Sequence, residues 1–314
     1  MSHKVHVIVN PFSARGKTAQ RWDLIKDAIK FYYKEFKYIF TEQPQQATEI
    51  ARSLLKDGFD LIIGVGGDGT LNEITNGYFH TTDPISAKAP QAINEDASLG
   101  IIPSGTGSDF IRFMKIPREF AQSVERIKNS PSKKIDVGKI VFEGKNGAIQ
   151  KYFINVADFG LGAEVINTLS KTPSSKRGPL HYYIGLLQTL KNYRSKSVKI
   201  VIDDGEEIGG RYVIGAVANG SIFGGGMVIA PDAKPDDGYF DLVLVDHMNT
   251  PEIICQSPRL YSGSIHKSKK VLIKKVKKIR VTSDEPVNIE YDGELGLPLP
   301  AEFHCISSAL NFKM

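Results

Sequence analysis

Cysteine is almost missing from this chain. Its 314 residues carry only Cys255 and Cys305, far apart and outside any Cys-x-x-Cys. That excludes a disulfide framework or a zinc-cysteine cluster and fits a reducing cytosol. No stretch reaches the roughly 18 uninterrupted apolar residues of a spanning helix, so any membrane role is expected to be peripheral. Met1 to Asn10 reads as an alternating strand, not a charged leader with an apolar core, so no export signal is expected. A G-x-S-x-G nucleophile elbow is absent. The histidines show no metal-binding spacing beyond the nearby His3 and His6, which read as strand surface. Charge of one sign is scarce too: 40 Lys and Arg face 35 Asp and Glu, a net +5. Such an excess suits an anionic surface without demanding nucleic acid.

What is present is a change of pattern part-way along. Strand and helix signals alternate at first: Val5 to Val9, helix about Thr18 to Phe36, Tyr38 to Phe40, helix about Gln45 to Asp57, Leu61 to Val65, and helix from Thr70. That order predicts an α/β, doubly wound nucleotide-binding domain with ligands at the C-terminal strand ends. A polar stretch from Thr81 to Ala97 reads as a surface insertion before the strand Leu99 to Ile102. After Pro131 come short strands: Lys134 to Val141, Gln150 to Val156, Val198 to Ile202, Tyr212 to Ala218, Phe240 to Val245 and Val271 to Val281. They predict a second, mainly antiparallel domain. Leu180, Tyr183, Ile184, Leu187 and Leu190 mark one amphipathic helix running to Arg194. The expected division is 1–133 with the tail 306–314, and 134–305.

Three turns carry the chemistry. The apolar run Asp60 to Val65 empties into Gly66-Gly67-Asp68-Gly69-Thr70-Leu71-Asn72-Glu73. Glycines let backbone N–H groups approach a phosphate, but Asp68 would repel it unless a divalent cation intervenes, so metal-nucleotide chemistry is expected. Gly64, Gly66 and Gly69, with Asp83 downstream, formally satisfy a dinucleotide fingerprint, yet that fingerprint sets its pyrophosphate on an uncharged loop. The turn Asn10-Pro11-Phe12-Ser13-Ala14-Arg15-Gly16-Lys17-Thr18 ends like a P-loop but has Pro11 where the first glycine belongs. Ser13, Arg15 and Lys17 still offer donors to a nucleotide phosphate. The third turn is Pro103-Ser104-Gly105-Thr106-Gly107-Ser108-Asp109. In a parallel sheet all three share one edge and would converge on one crevice.

Downstream, Glu290-Tyr291-Asp292-Gly293-Glu294 sets carboxylates two residues apart in a turn, able to accept the proton of an attacking hydroxyl or to sit as solvated surface. Lys234-Pro235-Asp236-Asp237-Gly238-Tyr239 offers carboxylate and carbonyl oxygens to a hard cation, or is an ordinary Asp-Gly turn. The basic run from Lys267 to Arg280 reads as a solvated edge strand or as a surface attracted to an anionic membrane. Aromatic residues do not interleave with those lysines, so nucleic acid is not expected as a partner.

Taken in order, Asn10-Pro11-x-Ser13, Gly66-Gly67-Asp68-Gly69-Thr70-x-Asn72-Glu73, Gly105-Thr106, Asp237-Gly238 and Asp292-Gly293-Glu294 resemble the bacterial soluble diacylglycerol kinase family, related to sphingosine and ceramide kinases. The resemblance implies an α/β nucleotide-binding domain and a β-sandwich domain, with the C-terminal tail returning to the first. It implies that Asn10, Pro11, Phe12, Ser13, Ala14, Thr41, Gly66, Gly67, Asp68, Gly69, Thr70, Leu71, Asn72 and Thr106 contact ATP, with Asp68 in a Mg2+ and phosphate network. Glu294 matches the proton acceptor for the lipid hydroxyl, with Asp292 beside it. Lys234, Asp237 and Tyr239 match a structural magnesium site. Two positions depart from the pattern: Ser108 stands where Asn is usual, and Ala14 where glycine is frequent.

The expected activity is transfer of the γ-phosphoryl group of ATP to a lipid hydroxyl, most simply diacylglycerol, at an anionic membrane surface on the cytoplasmic side. The residues leave open an NAD kinase, which shares the Gly-Gly-Asp-Gly loop, and a non-catalytic lipid or nucleotide sensor. A homodimer is compatible with the sequence and is not required by it.

Overall fold

The computed structural model describes residues 4–80, 90–105, 108–145, 147–170 and 179–314, with backbone only for 179–183. The chain divides into two compact units, Met1–Ile135 with Ser308–Met314, and Asp136–Ser307.

The first unit runs β1 (Val5–Val9), α1 (Lys17–Gln20), α2 (Trp22–Tyr32), β2 (Lys37–Phe40), α3 (Gln46–Lys56), β3 (Leu61–Gly66), α4 (Asp68–Gly77), β4 (Ser98–Pro103), α5 (Asp109–Phe113) and α6 (Phe120–Asn129). Strand β1 pairs in parallel with β2 and β3, and β3 in parallel with β4. Strands β1, β3 and β4 are buried on both faces, as a sheet covered on two sides requires, whereas the edge strand β2 is exposed. Val5, Val7, Val9, Leu61, Ile63 and Val65 meet Trp22, Ile25 and Ile29 of α2 and Val124 and Ile127 of α6. On the opposite face Gly64 leaves room for Ile74 of α4, whose Cδ1 would lie 2.8 Å from an added Cβ. The expected helix from Thr18 to Phe36 is interrupted at Arg21, whose φ of −100° and ψ of 4° leave helical space, and it ends at Tyr32.

The chain enters the second unit within β5 (Ser132–Gly144) and continues through β6 (Gly147–Phe153), β7 (Val156–Gly160), α7 (Leu161–Ser170), α8 (Pro179–Leu190), β8 (Lys196–Ile202) and β9 (Glu206–Ala218). Then come β10 (Ile222–Phe223), β11 (Met227–Val228), β12 (Phe240–Asp246), α9 (Thr250–Tyr261), β13 (Val271–Val276), β14 (Lys278–Thr282), β15 (Ile289–Tyr291), β16 (Glu294–Leu295) and β17 (Ala301–Lys313). The end of β17 belongs to the first unit, where Asn311 and Phe312 pair in parallel with Ser98 and Leu99 of β4. Strand β9 is the spine of the second unit, antiparallel to β7, β8 and β12. One apolar layer, with Phe142, Phe153, Phe159, Phe240 and Phe303, fills the β-sandwich. A second, with Leu161, Leu169, Leu190, Val243 and Met248, seats the helices.

Two expected strands are broken by carboxylates that take backbone donors. Gln150 to Val156 divides into β6 and β7 because Asp292 accepts from the amides of Ile154, Asn155 and Val156 at 2.8, 3.0 and 3.2 Å. Val271 to Val281 divides because Asp203 accepts from the amides of Lys277 and Lys278 at 3.0 and 2.8 Å. The basic run is therefore not one edge strand: β13 pairs only with β12, whereas β14 lies between β8 and β17. The helix expected to reach Arg194 stops at Leu190, and most of the expected insertion, residues 81–89, lies outside the described residues.

Candidate active site

In the first unit the three polar turns follow β1, β3 and β4 and meet at one edge of the sheet. The first is bent tightly: Ala14, Arg15 and Gly16 have φ of 52°, 61° and 81°. Left-handed backbone at a non-glycine residue costs free energy unless surrounding bonds hold it. Here Asn10 Oδ1 accepts from the Phe12 amide at 3.0 Å and Ser13 Oγ donates to the Asn10 carbonyl at 2.9 Å. Thr18 then joins this turn to the third, with its hydroxyl 2.6 Å from Ser104 Oγ and donating to the Ser104 carbonyl at 3.1 Å.

The glycine loop ties three elements together. Thr70 Oγ1 accepts from Asn10 Nδ2 at 3.0 Å, fixing the first turn. Asp68 Oδ2 accepts from the Asp109 amide at 2.8 Å, fixing the third. Glu73 Oε2 accepts from the Ala47 amide at 3.1 Å, fixing the start of α3. Burial raises the Glu73 pKa above the usual carboxylate value, partly opposed by the amides of Gln45 and Ala47. Gly67 and Gly105 allow the close approach: a Cβ on Gly105 would stand 2.5 Å from Gly67 Cα. Helix α4 begins at Asp68 with no side chain capping it, so its first-turn amides face the converged turns. A helix N-terminus of this kind attracts anions.

Not every expected nucleotide contact faces outward. Leu71 is fully buried and its amide is held by the Gly67 carbonyl at 3.1 Å, so this side chain belongs to the core. Thr41, Thr70 and Asn72 are also buried. Phe12 is exposed, and Thr106 lies outside the described residues. Ser104, Thr18 and Asp109 join the convergence although the sequence gives them no separate role. Thr18 stands in the P-loop-like ending, the one signal that could have marked it.

In the second unit, Tyr291 pairs with Glu294 across Asp292 and Gly293, whose φ values are 49° and 88°. Positive φ at both central residues is the signature of a type I′ hairpin. The two carboxylates of this turn do different things. Asp292 brackets residues 154–156, as described above, whereas Glu294 is exposed. Beneath them lies a pair that sequence reading missed, Asp158 and Glu290, both buried. Glu290 Oε2 accepts from the Gly293 amide at 2.8 Å, and Asp158 Oδ1 accepts from the Ala163 amide at 2.9 Å at the start of α7. Burial raises the pKa of both carboxyls, most of all that of Glu290, which also faces the Asp158 carboxyl.

The other acidic turn is held by protein groups. Asp136 accepts from the Gly238 amide at 2.7 Å and Asp237 Oδ1 from the Tyr239 amide at 3.1 Å. Lys275 Nζ lies 2.8 Å from Asp237 and 2.9 Å from Asp241. Burial works against that ammonium, but its bonds to the two aspartates outweigh this and raise its pKa. A divalent ion on Lys234, Asp237 and Tyr239 would therefore meet a carboxylate that already has a cation. No group of three or more His, Cys, Asp or Glu among the described residues is arranged as a metal cluster.

The profile of the diacylglycerol kinase catalytic domain matches residues 4–140, and that of the YegS C-terminal NAD kinase beta sandwich-like domain matches residues 155–314. A diacylglycerol kinase of Staphylococcus saprophyticus is 32% identical over 309 residues, covering 96% of this chain and 92% of its own. The chain belongs to the diacylglycerol kinase family. A Staphylococcus aureus member is 31% identical over 96% of this chain and 90% of its own. A crystal structure from Bacillus anthracis, described as a candidate diacylglycerol kinase, superposes with a TM-score of 0.77 at 26% identity, covering 99% and 95% of the two chains. Yeast NADH kinase shares the fold alone, with a TM-score of 0.51 at 12% identity, covering 99% of this chain and 83% of that one.

Proposed function

We propose that this protein transfers the γ-phosphoryl group of ATP to the hydroxyl of a membrane lipid, with diacylglycerol as acceptor and phosphatidic acid as product. The single observation that supports this most is the convergence of three polar turns through Asp68–Asp109, Asn10–Thr70 and Thr18–Ser104, in a chain of this family. The turns from Asn10 to Ala14 and from Gly66 to Asn72, with Thr106, are assigned to the nucleotide, apart from the Phe12 and Leu71 amides and the Leu71 side chain, which the protein itself holds. Asp68 and Asp109 are the carboxylates suited to a hard cation there, and magnesium would neutralise phosphate charge when bound.

In the transfer, the lipid oxygen bonds to the γ-phosphorus, the bond to the β–γ bridging oxygen breaks, ADP leaves, and Glu294 takes the hydroxyl proton. Glu294 is preferred to Asp292 because it is exposed, whereas the Asp292 oxygens serve three backbone amides. The acceptor is assigned to an anionic membrane, and peripheral attachment is consistent with the described residues, among which no helix is long and apolar enough to cross. One experiment tests the reading: ATP consumption with diacylglycerol vesicles, other dispersed lipids or NAD, each with and without magnesium. Turnover with NAD and none with any lipid would replace this proposal by the NAD kinase reading.

A further inference from the structure

Helix α9 carries apolar side chains on two opposite faces. Ile253 and Leu260 pack against the second unit's helix-bearing core. Pro251, Ile254, Cys255, Pro258 and Tyr261 are exposed, Ile254 by 44% and Tyr261 by 56%. The spacing i, i+3, i+4, i+7 and i+10 places them along one face. This is a built helix: the Asn249 side chain accepts from the Glu252 amide at 2.9 Å, and Glu252 accepts from the Asn249 amide at 2.8 Å. A capping box of this kind fixes the start of a helix.

The chain leaves α9 through the turn Ile265–Lys267, which touches both α9 and β13. His266, Lys267, Lys269 and Lys270 are exposed there, and Leu272 beside them is 46% exposed. Further along the basic run, Lys274, Lys275, Lys278 and Arg280 are bound to Glu206, Asp237 with Asp241, Asp204, and Glu302 with Glu143. Lys267 and Lys269 have no carboxylate partner among the described residues, and Lys270 donates to the His247 carbonyl at 3.2 Å. Cationic charge without a carboxylate partner thus stands at the end of the apolar stripe, and at Lys277, which lies over the Tyr239 ring.

We propose that the outer face of α9, with Lys267, Lys269 and Lys270, is the surface by which this protein docks on an anionic bilayer. Ile254 and Tyr261 enter the headgroup boundary and the ammonium groups meet lipid phosphates, as interfacial helices do. This deepens the lipid-acceptor reading above and rests on it.

Sedimentation of the full chain with vesicles of phosphatidylcholine, alone or mixed with phosphatidylglycerol and free of diacylglycerol, tests this without relying on phosphotransfer. Binding should require phosphatidylglycerol and weaken with salt. Ile254→Glu with Tyr261→Glu should abolish it, and Lys→Gln at 267, 269 and 270 should weaken it about fivefold per lysine. Both variants should keep the wild-type thermal midpoint. Absent binding, or equal binding by the variants, overturns the proposal, as does a lipid-free dimer that Ile254→Glu with Tyr261→Glu makes monomeric. Vesicle binding as described, with no lipid phosphorylated, leaves docking intact and refutes the kinase reading instead.

Discussion

The amide of Asp109 donates to the Asp68 carboxylate at 2.8 Å, so the acid in the glycine loop also positions the third turn. Asp68→Asn keeps an oxygen that can accept this bond but removes the charge. Activity should fall about 10²- to 10³-fold, the scale of one lost electrostatic contact at a reacting phosphate, with the thermal midpoint unchanged. Full activity in this variant would refute the assignment of Asp68.

Gly105→Ala tests the convergence itself. The new Cβ would meet Gly67 Cα, a backbone atom that cannot swing aside. The turns should separate and nucleotide affinity should drop at least about tenfold by calorimetric titration, a cost of about 1.4 kcal/mol. Unchanged affinity would show that the nucleotide does not use this contact.

Asp292 and Glu294 should separate stability from activity. Asp292→Ala strips three amides of their acceptor, and stability should fall by about 2–4 kcal/mol in urea unfolding. Glu294→Gln touches an exposed group in a turn already fixed by Asp292 and Gly293. It should leave unfolding unchanged and lower kcat about 10²- to 10⁴-fold, as expected for a lost general base. Equal effects of the two substitutions on both measurements would mean that the roles are not divided.

The glycine loop and the hairpin were legible because their signals are local: Asp292-Gly293 names its own turn, and Gly66 to Gly69 follow an apolar strand. The breaks at Ile154–Asn155 and Lys277 were not. Each is caused by a carboxylate distant in sequence, Asp292 and Asp203, which takes amides that strand periodicity assigns to the ladder. Leu71 illustrates the same limit inside a motif. Its neighbours Asp68 and Thr70 bond to the adjoining turns, yet helical spacing points Leu71 into the core. The basic run looked uniformly cationic because its acids lie on other strands and in distant turns.

Stability should fall as pH rises, and the Asp158–Glu290 pair is the cause. The folded state holds a proton on this pair above the pH at which an unfolded carboxyl releases it. With more protons bound when folded, unfolding free energy decreases by about 1.4 kcal/mol per pH unit from about pH 5 up to the pair's own titration. This contribution is complete at lower pH and lost as pH climbs. Glu290→Gln, which needs no proton to donate to Asp158, should flatten the decline in urea unfolding measured across that range. An unchanged slope would show that the pair is not the titrating group.

Lys275 provides the test of the second acidic turn. Its ammonium serves both Asp237 and Asp241, the latter with a buried side chain. Lys275→Met should cost about 1–2 kcal/mol, less than a fully buried pair because Lys275 keeps solvent contact. The variant also leaves Asp237 and Asp241 without the ammonium they share. If that turn accepts a divalent ion, millimolar magnesium should raise the variant's thermal midpoint more than the wild type's, because the ion no longer competes with a resident cation. An equal response in both proteins would remove Lys234, Asp237 and Tyr239 from consideration as a metal site and leave Lys275 as the only cation that this turn requires.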